Sequence, residues 1–194
     1  MTSPRFAQIE PENMTEPQRK VAAEIASGPR GSIRGPFLAL IHQPELASRV
    51  QSLGEYLRFG TQLAPDLIEL AVLVAARRWS CQYEWHAHSR IARETTTLST
   101  AIIEAIARGE PPVGMSGDQA AVYLFCRSLH QSGEADDATF NDIAGRFGLP
   151  GALDLIALCG YYSMLAMVLN TARLPLPAGV AAPLMPLDAK GTAQ

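Results

Sequence analysis

Three side chains that can exchange protons lie close together in the sequence, at a spacing that matches one face of a helix. Ser80 is a good N-cap, so a helix is predicted to begin at Cys81. Glu84 and His88 then share its apolar face, while His86 points about 160° away, toward solvent. Glu84 and His88 are four residues apart and are predicted to form a hydrogen bond. The helix dipole is predicted to favour the Cys81 thiolate.

A fourth ionisable residue, Glu69, lies in an otherwise apolar stretch. A buried carboxylate is costly unless it finds a partner or takes up a proton, so Glu69 is a candidate proton carrier. The alternative is an ion pair with Arg77 or Arg78. On one straight helix Glu69 and His88 would be about 28 Å apart at ~1.5 Å per residue. They can meet only if the chain reverses near residues 78–80.

Capping and helix-breaking residues predict an all-α protein. Thr15 with Gln18 and Ser116 with Gln119 are capping boxes, and Gly148 is a C-terminal glycine. No alternating strand pattern is present. Helices are predicted at about 15–27, 44–60, from 65, from 81, 99–109, 116–131, 136–147 and 152–172. The last is apolar almost all round, as expected for a central helix or an oligomer interface.

The composition fits one globular domain of 194 residues, 47% of them hydrophobic and 18% charged. We predict a helical domain over residues 1–172 and an extended, Pro-rich tail over residues 173–194. A net charge of −3 argues against a nucleic-acid partner. No uninterrupted apolar run of membrane-spanning length occurs, and the N-terminus lacks the apolar core of a signal peptide, so no membrane partner is expected.

Cysteine usage predicts a cytoplasmic protein. The chain has three cysteines, an odd number, and they are far apart in the sequence, which is not a disulfide framework. Cys126 and Cys159 lie inside apolar runs and are predicted to be buried and inert. Cys81, beside the ionisable cluster, is the exception.

The segment from Glu69 to His88 resembles the core motif of the carboxymuconolactone decarboxylase and alkylhydroperoxidase D-like superfamily. Its thiol peroxidases carry Glu, eleven residues, Cys-x-x-Cys, three residues and His. Here Glu69, Cys81 and His88 are in register, but Glu84 replaces the second Cys, so a Cys-x-x-Cys redox cycle is not available. Further landmarks resemble the decarboxylase-like branch, over about residues 17–177. They are GPF at 35–37, RFG at 58–60, YEW at 83–85 and GYY at 160–162.

The resemblance implies an alkylhydroperoxidase D-like helical bundle with a helical-hairpin active site, assembled as a homo-oligomer (dimer, trimer or hexamer). It also implies decarboxylation or isomerisation of a small unsaturated lactone or carboxylic acid, in aromatic-compound degradation, with no metal or organic cofactor. In this hypothesis His88, paired with Glu84, is the general acid–base group. Glu69 is the second proton carrier, and Cys81 is a pocket donor or accessory thiol.

Substrate-binding candidates flank this cluster. Arg58 could hold a substrate carboxylate, because guanidinium binds carboxylates in a fork, although a surface charge at a helix end is an equal alternative. Tyr83 and Trp85 are further candidates, with packing as the alternative. His42 and His130 lack acidic neighbours in sequence and receive no role.

Two other functions remain open. A one-cysteine peroxidase would use Cys81 as the attacking thiolate, with Glu69 and His88 as a proton relay and an external thiol to resolve the sulfenic acid. A non-catalytic oligomeric binding protein would use the same polar groups to fix helix packing. A metal site is not expected, since HExxH is absent and the single Glu-x-x-x-His lacks the pairing of a di-iron bundle.

Overall fold

The computed structural model describes residues 3–187, which contain eight α-helices and no β-strand. The all-α prediction is therefore confirmed. The helices are α1 (Glu16–Ser27), α2 (Phe37–Leu40), α3 (Pro44–Glu55), α4 (Pro65–Arg78), α5 (Gln82–Thr95), α6 (Thr100–Arg108), α7 (Gly117–Ser132) and α8 (Asp137–Ala172). A 3₁₀ turn lies at Pro11–Asn13, and a π-helical turn at Tyr56–Gly60 follows α3.

The predicted chain reversal joins α4 to α5 and makes them a helical hairpin. Trp79 and Ser80 form the turn, with Ser80 in the left-handed region at φ 45°. The Cys81 N–H donates to Ala76 O at 2.9 Å, which closes the reversal. Cys81 is itself the N-cap, so α5 begins at Gln82, one residue later than predicted.

Helix α4 is the centre of the bundle. It packs against α5, α7 and α8, and every residue from Leu67 to Arg77 is buried. Helix α8 is interrupted at Gly148, which has φ 69° and ψ 174°, at the place where the sequence predicts a helix end. Pro150 then starts the apolar segment that covers α4. Burial on all sides explains why α4 carries so little polar character.

Helix α8 is long and apolar enough to cross a membrane by length and composition. Half of the apolar window is buried inside the bundle, which is the pattern of a core helix. Its other side leaves large apolar side chains exposed, namely Leu149, Leu153, Ile156 and Met167. The expected absence of a membrane partner stays a prediction.

The π-helical turn brings Arg58 inward. An α-helix was predicted to continue to Gly60, but the wider turn at Tyr56–Gly60 rotates the side chains and leaves Arg58 mostly buried. The turn follows α3, which is tied to α8 because the Tyr161 hydroxyl donates to Val50 O at 3.1 Å.

The helical part of the structure ends at Ala172, and the C-cap Arg173 adopts left-handed φ and ψ. The predicted Pro-rich tail begins here, and the part of it that the structure describes has no helix. Residues 188–194 lie outside the described residues. The division into a domain and a tail stays a prediction.

Residues 174–187 form a segment that we call the C-terminal strap. It returns to the base of the hairpin, where Leu184 is buried in the core. The side chain of Gln82 donates to Leu184 O and accepts from Leu184 N–H, each at 2.9 Å. Arg77 Nη2 donates to Met185 O at 2.9 Å. These contacts fasten the strap to both helices of the hairpin.

Candidate functional site

The hairpin brings Glu69 of α4 and His88 of α5 together. His88 Nδ1 lies 2.7 Å from Glu69 Oε2, and both side chains are less than a tenth exposed. The Glu69 carboxyl group fixes the orientation of the ring, and Nε2 of His88 then points toward Glu84. The arrangement orients His88 for proton exchange.

Glu84 lies on the other side of the His88 ring. Its Oε2 is 3.8 Å from His88 Nε2, which is too long for a hydrogen bond. The predicted Glu84–His88 hydrogen bond is therefore wrong, because the shorter partner comes from α4. Glu84 Oε1 is buried without a hydrogen-bond partner among the described residues. Burial raises the pKa of Glu84, against the opposing effects of His88, Arg58 and Arg30.

Arg58 completes the group of charges around Glu69. Its Nη2 lies 3.7 Å from Glu69 Oε1, and its side chain is only 15% exposed. The ion-pair partner of Glu69 is thus Arg58, rather than Arg77 or Arg78. The ring of Tyr162 in α8 meets His88 edge-on at 5.1 Å, and burial raises the pKa of Tyr162. The imidazole is therefore positioned by Glu69 of α4 and by Tyr162 of α8.

A cavity of about 280 Å³ is lined by Arg58, Glu84, His88 and Tyr162, and Glu69 lies behind it. It is lined by four arginines, by the carboxyl group of Glu84, by the imidazoles of His86 and His88, and by several apolar residues. The lining residues are Arg30, Arg34, Arg58, Arg90, Tyr83, Glu84, His86, His88, Tyr162, Gly35, Pro36, Ala87, Ile91, Leu165 and Pro177. A small molecule with a negatively charged group fits the size and the charge of this space.

Several lining residues were missed or misjudged from the sequence. His86 is half-buried and faces the cavity, although it was predicted to lie on the solvent side. Arg30 and Arg34 come from the loop between α1 and α2, and Tyr162 comes from α8. The GPF and GYY landmarks lie next to these residues and were the available signal.

Cys81 does not line the cavity. It is fully buried and packs against Ala166 and Leu169 of α8. Burial raises the pKa of Cys81 to about 12, and backbone hydrogen bonds at the start of α5 lower it by less. The predicted thiolate is therefore wrong, because burial outweighs the helix N-terminus. Cys126 and Cys159 are buried, as predicted.

The two aromatic candidates separate in the structure. Tyr83 is half-buried and lines the cavity, so it is available to a ligand. Trp85 is 3% exposed and belongs to the hydrophobic core, which corrects its assignment as a substrate-binding residue in favour of packing. Within residues 3–187 no cluster of three or more His, Cys, Asp or Glu side chains is arranged to hold a metal ion.

Comparison with known proteins gives a family match. Residues 44–125 match the model of the carboxymuconolactone decarboxylase family. The matched segment contains Arg58, Glu69, Glu84 and His88, so the resemblance predicted from the sequence is confirmed. A search of curated proteins gives no match.

Solved structures with the same fold cover nearly the whole chain. One is an uncharacterized peroxidase-related protein with an alkylhydroperoxidase AhpD core, from Ralstonia eutropha JMP134. It superposes with a TM-score of 0.76 at 18% sequence identity, and the match covers 92% of this chain and 94% of that one. An uncharacterized peroxidase-related protein from Silicibacter sp. TM1040 gives a TM-score of 0.72 at 17% identity, and the match covers 92% of this chain and 96% of that one. The debrominase Bmp8, in complex with 2,3,4-tribromopyrrole, gives a TM-score of 0.71 at 14% identity, and the match covers 94% of this chain and 95% of that one. At these identities the likeness shows the fold, and the predicted alkylhydroperoxidase D-like bundle is confirmed.

Proposed function

From the match of residues 44–125 to the carboxymuconolactone decarboxylase family, we propose that this chain is a member of that family and an enzyme of cofactor-free acid–base chemistry. The proposed reaction is decarboxylation or isomerisation of a small unsaturated lactone or carboxylic acid. Aromatic-compound degradation is the proposed context.

One observation carries the proposal: His88 lies between two buried carboxyl groups, those of Glu69 and Glu84, whose surroundings differ. Glu69 lies 2.7 Å from His88 Nδ1 and 3.7 Å from Nη2 of Arg58. Glu84, near Nε2, has a raised pKa and an oxygen without a partner among the described residues. Two titratable groups whose environments differ in this way are the usual pattern of an acid and a base in one site.

The proposed roles follow from these positions. Loss of carbon dioxide from a substrate carboxylate leaves an electron pair, which delocalises into the conjugated carbonyl. Glu84 gives its proton to the carbon that lost carbon dioxide, and His88 returns a proton to Glu84 from solvent. In an isomerisation His88 Nε2 removes the proton first. Glu69 stabilises the resulting imidazolium.

The test measures turnover and proton delivery together. Purified wild type, His88→Ala and Glu84→Gln are incubated with carboxymuconolactone and related unsaturated lactones in D₂O, and loss of the substrate and deuterium in the product are measured. We expect one deuterium per product molecule and a loss of roughly 10²–10⁴-fold in kcat for each variant. His86→Gln, which alters the same cavity on the same helix, is the matched control and should stay within several-fold. Variants as active as wild type would refute the assignment.

Peroxide reduction is the second candidate, because two similar structures belong to peroxidase-related proteins. The buried Cys81, with a pKa raised to about 12, argues against it. Peroxide consumption with a dithiol reductant distinguishes the two. If wild type consumes peroxide and Cys81→Ser does not, the thiol function replaces the acid–base proposal.

We also propose that the chain works as a homo-oligomer. The apolar side chains that α8 leaves exposed support a contact between copies; Leu153 is 65% exposed and Leu149 is 63% exposed. Light scattering after size-exclusion chromatography should give a mass above 20.9 kDa. A monomer at micromolar concentration would refute the proposal.

A further inference from the structure

Arg30 is a cation that the protein holds at the cavity without an acidic partner among the described residues. It lies in the loop between α1 and α2, and it is half-buried. Its Nη2 donates to the Tyr161 hydroxyl at 3.3 Å, and its guanidinium lies over the Phe37 ring at 5.0 Å. Neither contact neutralises the charge. Its Nε is buried without a hydrogen-bond partner among residues 3–187.

The other three arginines of the cavity differ from Arg30. Arg58 already faces Glu69 at 3.7 Å. Arg34 and Arg90 are exposed, so water and salt screen their charges. Within the part of the chain that the structure describes, Arg30 is thus the cavity arginine that is both held in place and free of a carboxylate.

Its position also suits a ligand that must reach the acid–base group. Arg30 and Glu84 line the same cavity, and the charge of Arg30 acts on the Glu84 carboxyl. A planar guanidinium held by an aromatic ring and a hydroxyl has lost much of its freedom before the ligand arrives. A carboxylate at Arg30 would therefore be bound with a small ordering cost and would be fixed in orientation.

We propose that Arg30 binds an anionic carboxylate of the substrate and turns the reacting carbon toward Glu84 and His88. This inference rests on the proposed acid–base function and deepens it by naming the residue that selects an anionic substrate. Phe37 and Tyr161 are its positioning residues. Arg58, which the sequence suggested for this task, already faces the carboxyl group of Glu69.

The experiment measures binding of a carboxylate and its neutral counterpart. The probes are furan-2-carboxylate and furan-2-carboxamide, titrated by calorimetry into wild type, Arg30→Gln, Arg30→Lys and Arg34→Gln. We expect wild type to prefer the carboxylate by about 10-fold or more, the range of a charge-assisted hydrogen bond. Arg30→Gln should lose that preference, and Arg30→Lys should keep only part of it. Arg34→Gln, an exposed arginine of the same loop and cavity, should change it by less than about 3-fold.

The outcomes separate this inference from the proposed reaction. Loss of carbon dioxide from furan-2-carboxylate would leave an electron pair in the plane of the ring, which no conjugated carbonyl can delocalise. The probe is therefore not turned over, and the preference is read independently of catalysis. A wild type without preference for the carboxylate, or an Arg34→Gln effect as large as that of Arg30→Gln, overturns the assignment even if lactone turnover is found. Thermal melts verify that each variant folds. If Arg30→Gln does not fold, the test rests on Arg30→Lys, and a preference for the carboxylate as large as that of wild type then overturns the assignment.

Discussion

Replacing Gly54 by Ala tests the contact that holds the arginine loop to the bundle. A Cβ added at Gly54 in α3 would lie 2.0 Å from the Tyr161 hydroxyl oxygen and 2.5 Å from Tyr161 Cζ. It would also lie 2.5 Å from Arg30 Nη2. Real Cβ atoms do not approach so closely, so Tyr161 and Arg30 must both move. Tyr161 then loses its hydrogen bond to Val50 O.

The size of the effect follows from three contributions. Overpacking a core costs about 1–3 kcal/mol. A buried hydroxyl left without its partner costs about 1–3 kcal/mol more. The better helix propensity of Ala returns roughly 0.5–1 kcal/mol. We therefore expect Gly54→Ala to lower the free energy of unfolding by about 2–4 kcal/mol, which is roughly 5–15 °C in Tm for a chain of this size.

Urea unfolding followed by far-UV circular dichroism measures this loss. Gly145→Ala is the matched control, because Gly145 is also helical but has open space where its Cβ would be. It should be neutral or stabilising by up to about 1 kcal/mol. If Gly54→Ala is as stable as Gly145→Ala, the close approach of α3 and Tyr161 does not exist and the packing argument fails.

Three further predictions concern the thiol, the acid and the helix break. Burial raises the pKa of Cys81 to about 12, so iodoacetamide at pH 8 should alkylate Cys81 only after unfolding. Mass spectrometry measures the labelling, and rapid labelling of the native protein would contradict the burial of Cys81. Because the folded-state pKa of Glu84 is raised, the contribution of this carboxyl group to stability falls as pH rises above about 4.5. The stability of Glu84→Gln relative to wild type should therefore increase over that range in denaturation curves, and a constant difference would contradict the raised pKa. Gly148→Ala should lower the free energy of unfolding by about 1–3 kcal/mol in the same measurement, because φ 69° with ψ 174° is a backbone conformation that favours glycine. An unchanged denaturation midpoint would show that the fold does not need the break in α8.

Local signals predicted most of the fold correctly. The Ser116 capping box is present, with reciprocal bonds to Gln119, and the α8 interruption falls at Gly148. Ser80 predicted a helix start at Cys81, and Cys81 is itself the cap of a helix that begins one residue later. Such features depend on a few neighbouring residues, so the sequence alone carries them.

The site was harder to predict because its geometry depends on contacts between distant segments. Spacing on α5 placed Glu84 beside His88, but it could not show that Glu69 from α4 comes closer. Burial of Cys81 depends on Ala166 and Leu169, far along the chain. Arg30, in a loop before α2, gave no signal of its own.

The C-terminal strap affects when the cavity becomes complete during folding. Gln82 and Leu184 are 102 positions apart, so their pairing closes a long loop and contributes to a slow, late step. The α4–α5 hairpin needs only local contacts and can form first. Pro177, in the strap, is one wall of the cavity, so refolding should restore helix content before ligand binding. The Leu184 amide should exchange with solvent faster than the amides of the α4–α5 hairpin. Because Pro177 belongs to the same strap, we expect the cavity wall at Pro177 to detach from the bundle more often than the rest of the site.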